Sequence, residues 1–239
     1  MKRLVIIPTY NEIANISAMI DKVFSLGDEL DLLIIDDASP DGTRDVVREK
    51  MPQYENRLFM LERSGKLGLG TAYLTGFKWA LEHGYDYVCE MDCDFSHNPD
   101  DLTRLFEKAE EGSDVVVGSR YVTGVNVVNW PMSRLLMSYF ASVYVRMVTR
   151  MPVRDATAGF VCYSRHALET IDLDKVHMKG YGFQVEMKYT AWKLGLKVSE
   201  VSIIFTERRL GCSKMSGGIF KEAFFGVMAL PFRCIRRAK

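Results

Sequence analysis

The chain has 239 residues, of which 48% are hydrophobic and 26% charged, and its formal net charge is zero. This composition is ordinary for a globular protein with a sizeable core, and it gives no global basic field that would attract nucleic acid. The length suits one large domain or a domain with an appendage. The five cysteines form no C-x-x-C pair, so we expect reduced thiols in a cytosolic protein rather than a disulfide scaffold or a zinc site.

The first half of the chain alternates short apolar runs with helical segments. The predicted strands are 4–7, 32–35, 58–61, 85–91 and 115–117. The helices predicted between them are 12–24, 43–50, 71–82 and 98–110. Near-continuous apolar strands that alternate with helices are typical of a parallel sheet covered on both faces. The predicted fold class is therefore α/β.

The pattern changes after residue 120. Predicted helices at 132–148 and 183–194 and predicted strands at 159–163 and 197–205 are followed by a polar loop over 206–218. We interpret 1–120 as a nucleotide-binding half, 121–218 as an acceptor half, and 219–239 as an amphipathic, basic C-terminal helix.

Membrane contact is predicted to be peripheral. Only four apolar residues separate Met1-Lys2-Arg3 from Pro8, which indicates a buried first strand rather than a secretory segment. No run approaches the roughly 20 apolar residues that span a bilayer. Apolar side chains in 219–239 precede a cationic tail, which fits a helix lying in an anionic interface. The helix at 132–148 is either a second interfacial helix or one that packs on the core.

Two carboxylates follow the fourth predicted strand. Asp92 and Asp94 are one residue apart, and alternate side chains of an extended strand point to the same face. Two hard oxygen ligands at the mouth of a sheet suit Mg²⁺ or Mn²⁺ that carries substrate phosphates. The alternative is a solvated turn with two acids.

Other polar segments fall at the same predicted edge of the sheet. Ligands of open parallel sheets bind outside the carboxyl ends of the strands, and the segments 8–12, 36–39 and 64–70 lie at such ends. Asp36 or Asp37 can accept hydrogen bonds from a base or a ribose, whereas Asp41 is better explained by a turn.

The glycine-rich stretch 65–70 does not fit a dinucleotide fingerprint. The pattern G-x-G-x-x-G would need glycine where Tyr73 stands, and it should follow the first strand rather than the third. We predict a tight turn at a helix N-terminus, with Lys66 as a candidate phosphate contact.

Five blocks of sequence together resemble a known family. They are P-T-Y-N-E at 8–12, D-D-A-S-P-D-G-T at 36–43, L-G-L-G-T-A-Y at 67–73, D-C-D-F-S-H at 92–97 and G-S-R-Y at 118–121. They resemble the family-2 glycosyltransferases of GT-A fold, and among these the dolichol-phosphate (polyprenol-monophosphate) mannose synthases. The likeness runs from about residue 4 to about residue 218.

The resemblance implies a nucleotide-sugar donor, usually GDP-mannose, bound with Mg²⁺ or Mn²⁺. The positions that would contact the nucleotide are Pro8, Tyr10, Glu12 and Asp37. Asp92 and Asp94 would hold the metal and the diphosphate. Some relatives carry Gln where this chain has Ser96, a weaker ligand that would act through water. We expect a structural role for the neighbouring His97.

A lipid phosphate acceptor needs cations more than a base, because a phosphomonoester is already ionised at neutral pH. The resemblance singles out cationic positions for this task, with Asp94 completing the predicted catalytic set: Arg120, Arg134, Arg208 and Lys214. Arg208 and Lys214 would also contact the donor, and the loop that carries them, with Arg209 and Ser213, would close over it. Glu186 lies where other inverting relatives carry a catalytic acid, although a role at a helix terminus explains it as well.

The resulting prediction is transfer of mannose from GDP-mannose to a polyprenyl phosphate, with inversion, at the cytoplasmic face of a membrane. Alternatives within the fold are glucose transfer from UDP-glucose and transfer to a glycan hydroxyl. An alternative of another class is a catalytically silent, sugar-nucleotide-binding subunit. An anchoring membrane protein is a predicted partner, and nucleic acid is not.

Overall fold

A computed structural model describes residues 1–27, 29–180, 182–207 and 224–238. Its strands are β1 (Arg3–Thr9), β2 (Leu30–Asp36), β3 (Leu58–Glu62), β4 (Tyr87–Glu90), β5 (Val115–Ser119), β6 (Val127–Val128), β7 (Val161–Ser164), β8 (Val198–Ser202) and β9 (Phe205–Thr206). Its helices are α1 (Ile16–Phe24), α2 (Thr43–Lys50), α3 (Leu69–Glu82), α4 (Asp101–Glu110), α5 (Met132–Thr149), α6 (Arg165–Thr170) and α7 (Gly182–Lys193). Residues 224–229 are also helical, and a 3₁₀ turn follows at Leu230–Phe232.

Seven strands form one sheet in the order β3-β2-β1-β4-β7-β5-β8. All neighbouring pairs are parallel except those of β7, which runs antiparallel to both β4 and β5. The short strands β6 and β9 pair separately. The predicted α/β class with a mostly parallel sheet is thus confirmed, while the sequence pattern had indicated neither the reversed direction of β7 nor the pair β6–β9.

Alternation along the central strands buries both faces of the sheet. In β1, Leu4 and Ile6 pack into one core layer with α3 and α7, whereas Val5 and Ile7 pack into the other layer with α1 and α4. Residues at two-residue spacing lie on the same face of a strand, so a continuous apolar run supplies both layers. This arrangement is why these strands read as apolar runs rather than as alternating patterns.

Gly76 of α3 packs against side chains of the sheet. A Cβ atom at this position would stand 2.8 Å from the Cδ1 atoms of Ile6 and Ile35. A larger residue at this position would therefore require the Ile6 and Ile35 side chains to shift. This packing fixes the N-terminus of α3, and with it the glycine-rich turn before it, at the carboxyl edge of the sheet.

The helices leave part of their apolar surface uncovered. Helix α5 exposes Met132, Phe140 and Met147, and the C-terminal segment exposes Phe225 and Phe232. Within the described ranges, no helix is both long enough and apolar enough to cross a bilayer.

Candidate active site

The candidate site lies at the carboxyl edge of the sheet, where the strand order reverses between β1 and β4. In the register of the parallel strands, Thr9 pairs with Asp36, and Ile6 pairs with Glu90 at the end of β4. Open α/β sheets bind ligands in the crevice at such a reversal. The loops after β1, β2 and β4 therefore meet in one place, as the sequence predicted.

The two adjacent acids after β2 have different environments. Asp36 is fully buried and accepts hydrogen bonds from the Thr9 hydroxyl at 2.9 Å and from the backbone N–H and hydroxyl of Ser39 at 2.9 and 2.5 Å. Asp41 accepts from the backbone and side chain of Thr43 and so shapes the start of α2. The carboxylates of Asp36 and Asp41 both accept hydrogen bonds from within the protein. Of the adjacent acids Asp36 and Asp37, Asp36 is therefore the less suitable for binding a ligand.

Asp37 is the better candidate for a nucleotide contact. Its Oδ2 accepts the Leu67 backbone N–H at 3.3 Å, and Arg63 Nη1 lies 3.1 Å from its Oδ1. The geometry of the Arg63 contact is not that of a hydrogen bond, and Oδ1 has no other hydrogen-bond donor among the described residues. Burial raises the pKa of this carboxyl above its usual range, and the Arg63 charge partly opposes that rise. A buried acceptor with spare capacity suits a donor group of a ligand.

The segment after β1 and the glycine-rich turn face each other. Lys66 Nζ lies 4.9 Å from the centre of the Tyr10 ring, a distance typical of a cation–π contact. Asn11 adopts a left-handed conformation with φ of 55° and donates its N–H to Ser39. The Glu12 carboxylate accepts from the Asn15 amide. Pro8 lies within β1, beside Ile35 of β2.

The predicted metal ligands lie in a tight turn after β4. Asp94 is buried and its Oδ1 accepts the Ser96 backbone N–H at 3.1 Å, while Phe95 between them has a φ of 58°. The Asp92 side chain is 42% exposed. Asp92, Asp94 and Ser96 line one cavity.

These ligands fit a metal that is shared with a substrate. Among the described residues, no group of three or more His, Cys, Asp or Glu side chains gathers as a metal cage. Two carboxylates and a hydroxyl leave several positions of an octahedral Mg²⁺ for water and phosphate oxygens. The oxygen donors present therefore fit Mg²⁺ or Mn²⁺ bound together with a diphosphate.

His97 forms a hydrogen bond with the backbone of the Asp92–Asp94 turn. The Asp92 backbone N–H points at His97 Nδ1 at 3.2 Å, which assigns Nδ1 as an acceptor and the ring as neutral. Burial lowers the pKa of His97 to about 4, and the ring stacks on Phe160 with centres 5.0 Å apart. This geometry favours the structural interpretation of His97 over a role as a base.

The cavity is large and has two kinds of lining. Its volume is about 780 Å³, and part of its lining is formed by the Asp92–Asp94 turn. Another part of its lining consists of apolar and aromatic side chains of α5 and of residues 224–229, namely Met137, Phe140, Ala141, Tyr144, Val145, Phe224 and Val227. One cavity thus connects a site for charged groups with a surface for an apolar chain.

Arg120 lines this cavity, and its guanidinium forms a buried ion pair with Asp155. The guanidinium donates to both carboxylate oxygens of Asp155, from Nε at 2.7 Å and from Nη2 at 2.6 Å, and Nη2 also donates to Thr157. Among the described residues, none accepts from Nη1. Sequence reasoning missed Asp155, because no local pattern connects it to a residue 35 positions earlier.

Arg134 also lines the cavity. It forms an ion pair with Glu207 and lies over the Trp130 ring at 4.3 Å from its centre. About a third of its side chain is exposed, so it retains access to a ligand. Arg208, Arg209, Ser213 and Lys214 lie outside the described residues.

Comparison with known proteins agrees with this geometry. Residues 4–172 match the family described as glycosyl transferase family 2. The chain belongs to glycosyl transferase family 2. It is 45% identical to a polyprenol monophosphomannose synthase of Mycolicibacterium smegmatis, over 95% of this chain and 85% of the relative. It is 46% identical to an undecaprenyl-phosphate mannosyltransferase of Micrococcus luteus, over 95% of this chain and 93% of the relative.

Solved structures of low sequence identity share the fold of this family member. Glucosyl-3-phosphoglycerate synthase of Mycobacterium tuberculosis, in complex with Mn²⁺, UDP and glucosyl-3-phosphoglycerate, matches with a TM-score of 0.67 at 19% identity, over 97% of this chain and 78% of that one. The same synthase in complex with Mg²⁺ and UDP matches with a TM-score of 0.66 at 18% identity. The predicted family and fold are confirmed.

Family-level motifs did not reveal a second buried network beneath the site. Gln184 of α7 donates from Nε2 to Glu90 Oε2 at 2.6 Å, and Lys188 Nζ donates to Gln184 Oε1 at 3.3 Å. Burial raises the pKa of Glu90 to about 8 and lowers that of Lys188 to about 8. The signal in the sequence was Glu90 itself, an acid inside an apolar strand.

Glu186 of α7, at the position where the resemblance implied a candidate acid, lies in different surroundings. It accepts the backbone N–H groups of His177 and Met178 at 3.0 and 2.7 Å and pairs with Arg233. It lines a smaller cavity of about 260 Å³ rather than the one beside Asp92. This environment favours the structural explanation of Glu186.

Proposed function

We propose that the protein transfers mannose from GDP-mannose to a polyprenyl phosphate, with inversion at the anomeric carbon. The observation that carries this proposal is the single cavity, which joins the carboxylates after β4 to an apolar wall and has Arg120 and Arg134 along it. The two relatives are named for mannose transfer to polyprenol or undecaprenyl phosphate. A water-soluble acceptor would not need such a wall.

The donor would occupy the crevice between β1, β2 and β4. Asp37 has a buried oxygen that can accept from the base or the ribose, while Tyr10 and Lys66 face each other beside it. Asp92 and Asp94, with Ser96, would hold Mg²⁺ or Mn²⁺ and the diphosphate. The metal would balance charge on the departing GDP. The M. tuberculosis synthase solved with Mn²⁺ or Mg²⁺ and UDP supports this arrangement by analogy of fold.

The acceptor phosphate would approach from the arginine side of the cavity. A phosphomonoester needs no general base, since its second pKa is about 6. Arg134 is half-buried and stacked on Trp130, so its planar guanidinium is held ready for bidentate binding of phosphate. Arg120 would contribute its Nη1, and Arg208 and Lys214, in the segment predicted from the sequence to be a loop, would add charge. A phosphate oxygen would then attack the anomeric carbon from the face opposite GDP.

The polyprenyl chain would lie along the apolar wall and continue into a membrane surface. The exposed side chains of α5 and of the C-terminal segment are large and apolar, and Arg236 and Arg237 follow them. Apolar surface flanked by cations binds anionic interfaces. We therefore place the protein peripherally on the cytoplasmic face of a membrane, with an anchoring protein as a further predicted partner.

The test is transfer of radiolabelled sugar by the purified protein. GDP-mannose and UDP-glucose are each incubated with polyprenyl phosphate, in Mg²⁺ and in EDTA, and the product anomer is assigned by NMR. We expect Mg²⁺-dependent mannolipid of inverted configuration from GDP-mannose alone. Glucolipid from UDP-glucose would replace the donor and keep the acceptor. No lipid product from either donor would reject the proposal in favour of another acceptor or a non-catalytic subunit.

A further inference from the structure

Gln184 is a buried polar residue that lines the large cavity, and the proposed reaction assigns it no role. It lies on α7, is 2% exposed and lines the same cavity as Asp92 and Asp94. A Cβ built on Gly159 would stand 3.8 Å from His97 Cε1 and 4.0 Å from Gln184 Nε2. Only a glycine therefore separates this amide from the histidine that supports the Asp92 turn.

The amide of Gln184 is held in one orientation from both sides. Glu90 Oε2 accepts from Nε2 at 2.6 Å, which identifies the nitrogen, and Lys188 donates to Oε1. Lys188 donates its other two N–H groups to the backbone oxygens of Ala158 and Gln184, at 2.7 and 2.9 Å. All three donors of this ammonium group are used, so Lys188 has none left for a ligand.

The amide itself retains hydrogen-bonding capacity. A primary amide has two N–H donors and an oxygen with two lone pairs. Among the described residues, one donor of Gln184 goes to Glu90 and one lone pair receives Lys188. One donor and one acceptor remain on a group that lines the cavity. A hydroxyl group, which both donates and accepts, matches that remainder.

If the proposed function holds, the transferred sugar, which bears hydroxyl groups, must lie in this cavity near Gln184. The diphosphate would be anchored at Asp92 and Asp94, and the sugar attached to it must lie between those residues and the acceptor phosphate. Glu90, two residues before Asp92, ties the amide to the same strand end. Burying polar groups such as these is costly unless they are hydrogen-bonded, and preorganised polar groups of this kind are typical of binding sites.

We infer that Gln184 binds a hydroxyl group of the transferred sugar, and that Glu90 and Lys188 are positioning residues that fix its amide. This inference rests on the proposed function. It assigns sugar recognition to α7, an element outside the carboxylate turn and the arginines.

The test separates the sugar from the nucleotide. Affinities of the wild type and of Gln184→Met are measured by calorimetry in Mg²⁺ for GDP, GDP-mannose and the 2-, 3-, 4- and 6-deoxy analogues of GDP-mannose. In the wild type, we expect one analogue to bind about tenfold more weakly than GDP-mannose, as one lost hydrogen bond implies. In Gln184→Met, that difference disappears while the affinity for GDP stays within about twofold.

Controls distinguish recognition from structural support. Thr190→Val changes a polar residue of α7 that lines the smaller cavity, and it should alter none of these affinities. Glu90→Gln keeps the shape of the positioning residue but changes the hydrogen-bonding group that faces Gln184 Nε2, and it should shrink the same hydroxyl preference. If Gln184→Met does not fold, Gln184→Asn keeps an amide withdrawn by one methylene and is expected to give the same loss.

Two outcomes would overturn the inference. Equal losses for GDP and GDP-mannose would make Gln184 a support of the Asp92 turn, and an unchanged deoxy-analogue penalty would place the sugar elsewhere. Failure of the proposed function has a separate signature, because the wild type itself would then make no mannolipid from GDP-mannose. If the wild type instead transfers glucose from UDP-glucose, the same comparison is made with a different set of ligands. These are UDP, UDP-glucose and the deoxy analogues of UDP-glucose.

Discussion

The side chains of Asp92 and Asp94 differ in burial although they lie in one turn. The Asp94 carboxylate is buried and held by the Ser96 N–H, whereas the Asp92 side chain is 42% exposed and its backbone N–H is fixed by His97. A buried, oriented carboxylate loses little entropy when a cation binds, because its rotamer is already set. Asp94 is therefore the ligand whose removal we expect to matter most.

Replacing Asp94 by alanine should remove metal-dependent activity and leave the fold intact. The loss of one of two carboxylates from the proposed metal site is expected to lower the transfer rate by at least about 100-fold. The rate is measured against Mg²⁺ concentration, together with the melting temperature. Asp100→Ala, at an exposed acid paired with Lys22, is the control and should have ordinary activity. Full activity of Asp94→Ala would reject the metal assignment.

Replacing Arg134 by alanine should weaken the acceptor more than the donor. Its guanidinium lies over the Trp130 ring, and the residue lines the same cavity as the Asp92–Asp94 turn and the apolar side chains of α5. We expect the KM for polyprenyl phosphate to rise about tenfold, as one charge-assisted contact implies, and the KM for GDP-mannose to change less than about twofold. Arg165→Ala, on an exposed helical ion pair with Glu169, is the control. Equal rises in both KM values would indicate a structural role.

Replacing Asp155 by asparagine should destabilise the fold, because it leaves the Arg120 charge buried without its partner. Removing one member of a buried pair costs about 3–5 kcal/mol, measured as the free energy of unfolding at pH 7. Burial by itself would raise the pKa of Asp155, but the Arg120 guanidinium holds it below its usual range.

The same pair predicts a pH dependence with a definite sign. Because the folded pKa of Asp155 lies below its unfolded value of about 3.9, its stabilisation is complete above that value and is lost as the pH falls through the folded pKa. The difference in unfolding free energy between the wild type and Asp155→Asn should therefore shrink below about pH 4. A difference that is constant from pH 7 to pH 3 would contradict this account.

At the scale of elements, the C-terminal segment has two opposite surfaces. Val227 and Leu230 are buried in the core, while Phe225 and Phe232 are 66% and 90% exposed. Tyr144 of α5 stacks on Phe224 and donates to its carbonyl oxygen. Deleting residues 219–239 would expose core surface, so loss of membrane binding in such a truncation would have two explanations.

The double substitution of Phe225 and Phe232 by serine tests the membrane contact without that ambiguity. Both side chains are exposed, so stability should change by less than about 1 kcal/mol. Binding to anionic liposomes, measured by sedimentation, should fall by about tenfold or more, since each aromatic side chain contributes on the order of 1.5–3 kcal/mol when buried. Val227→Ser should instead lower the melting temperature. Unchanged liposome binding by the double variant would move the contact to α5.

For the whole molecule, the sheet crosses the boundary drawn at residue 120. Strand β7 lies between β4 and β5, and β8 completes the edge next to β5. The nucleotide-binding and acceptor halves therefore share one hydrogen-bonded sheet. Glu90 with Gln184 and Arg120 with Asp155 add buried polar contacts between them.

A fragment of residues 1–120 should consequently fail to fold alone. Without β7, the facing edges of β4 and β5 would have unpaired backbone groups, and the apolar core layer shared with α7 would be open to water. Circular dichroism and amide hydrogen exchange of the fragment should show no cooperative native state. A cooperatively folded fragment that binds GDP would indicate that the first half is an independent domain.

The sequence by itself determined the class of the fold, the carboxyl edge as the candidate binding site and the position of the Asp92–Asp94 turn. These features are local: an apolar run sets a strand, and the residues that directly follow it must lie at its carboxyl end. The same locality explains why the turn formed by Asp41 and Thr43 was foreseen. The family could be recognised because its motifs are short segments of this kind.

The tertiary structure alone decided the direction of β7, the partner of Arg120 and the residues that Gln184 and Glu186 contact. Each depends on contacts between residues far apart in the chain, such as Arg120 with Asp155 and Glu90 with Gln184. Periodicity reports which face of an element is buried, but not which distant side chain lies opposite. Gln184 and Glu186 are two residues apart on one helix and therefore lie on different faces of it. Packing decides that one face lines the large cavity and that the other meets Arg233.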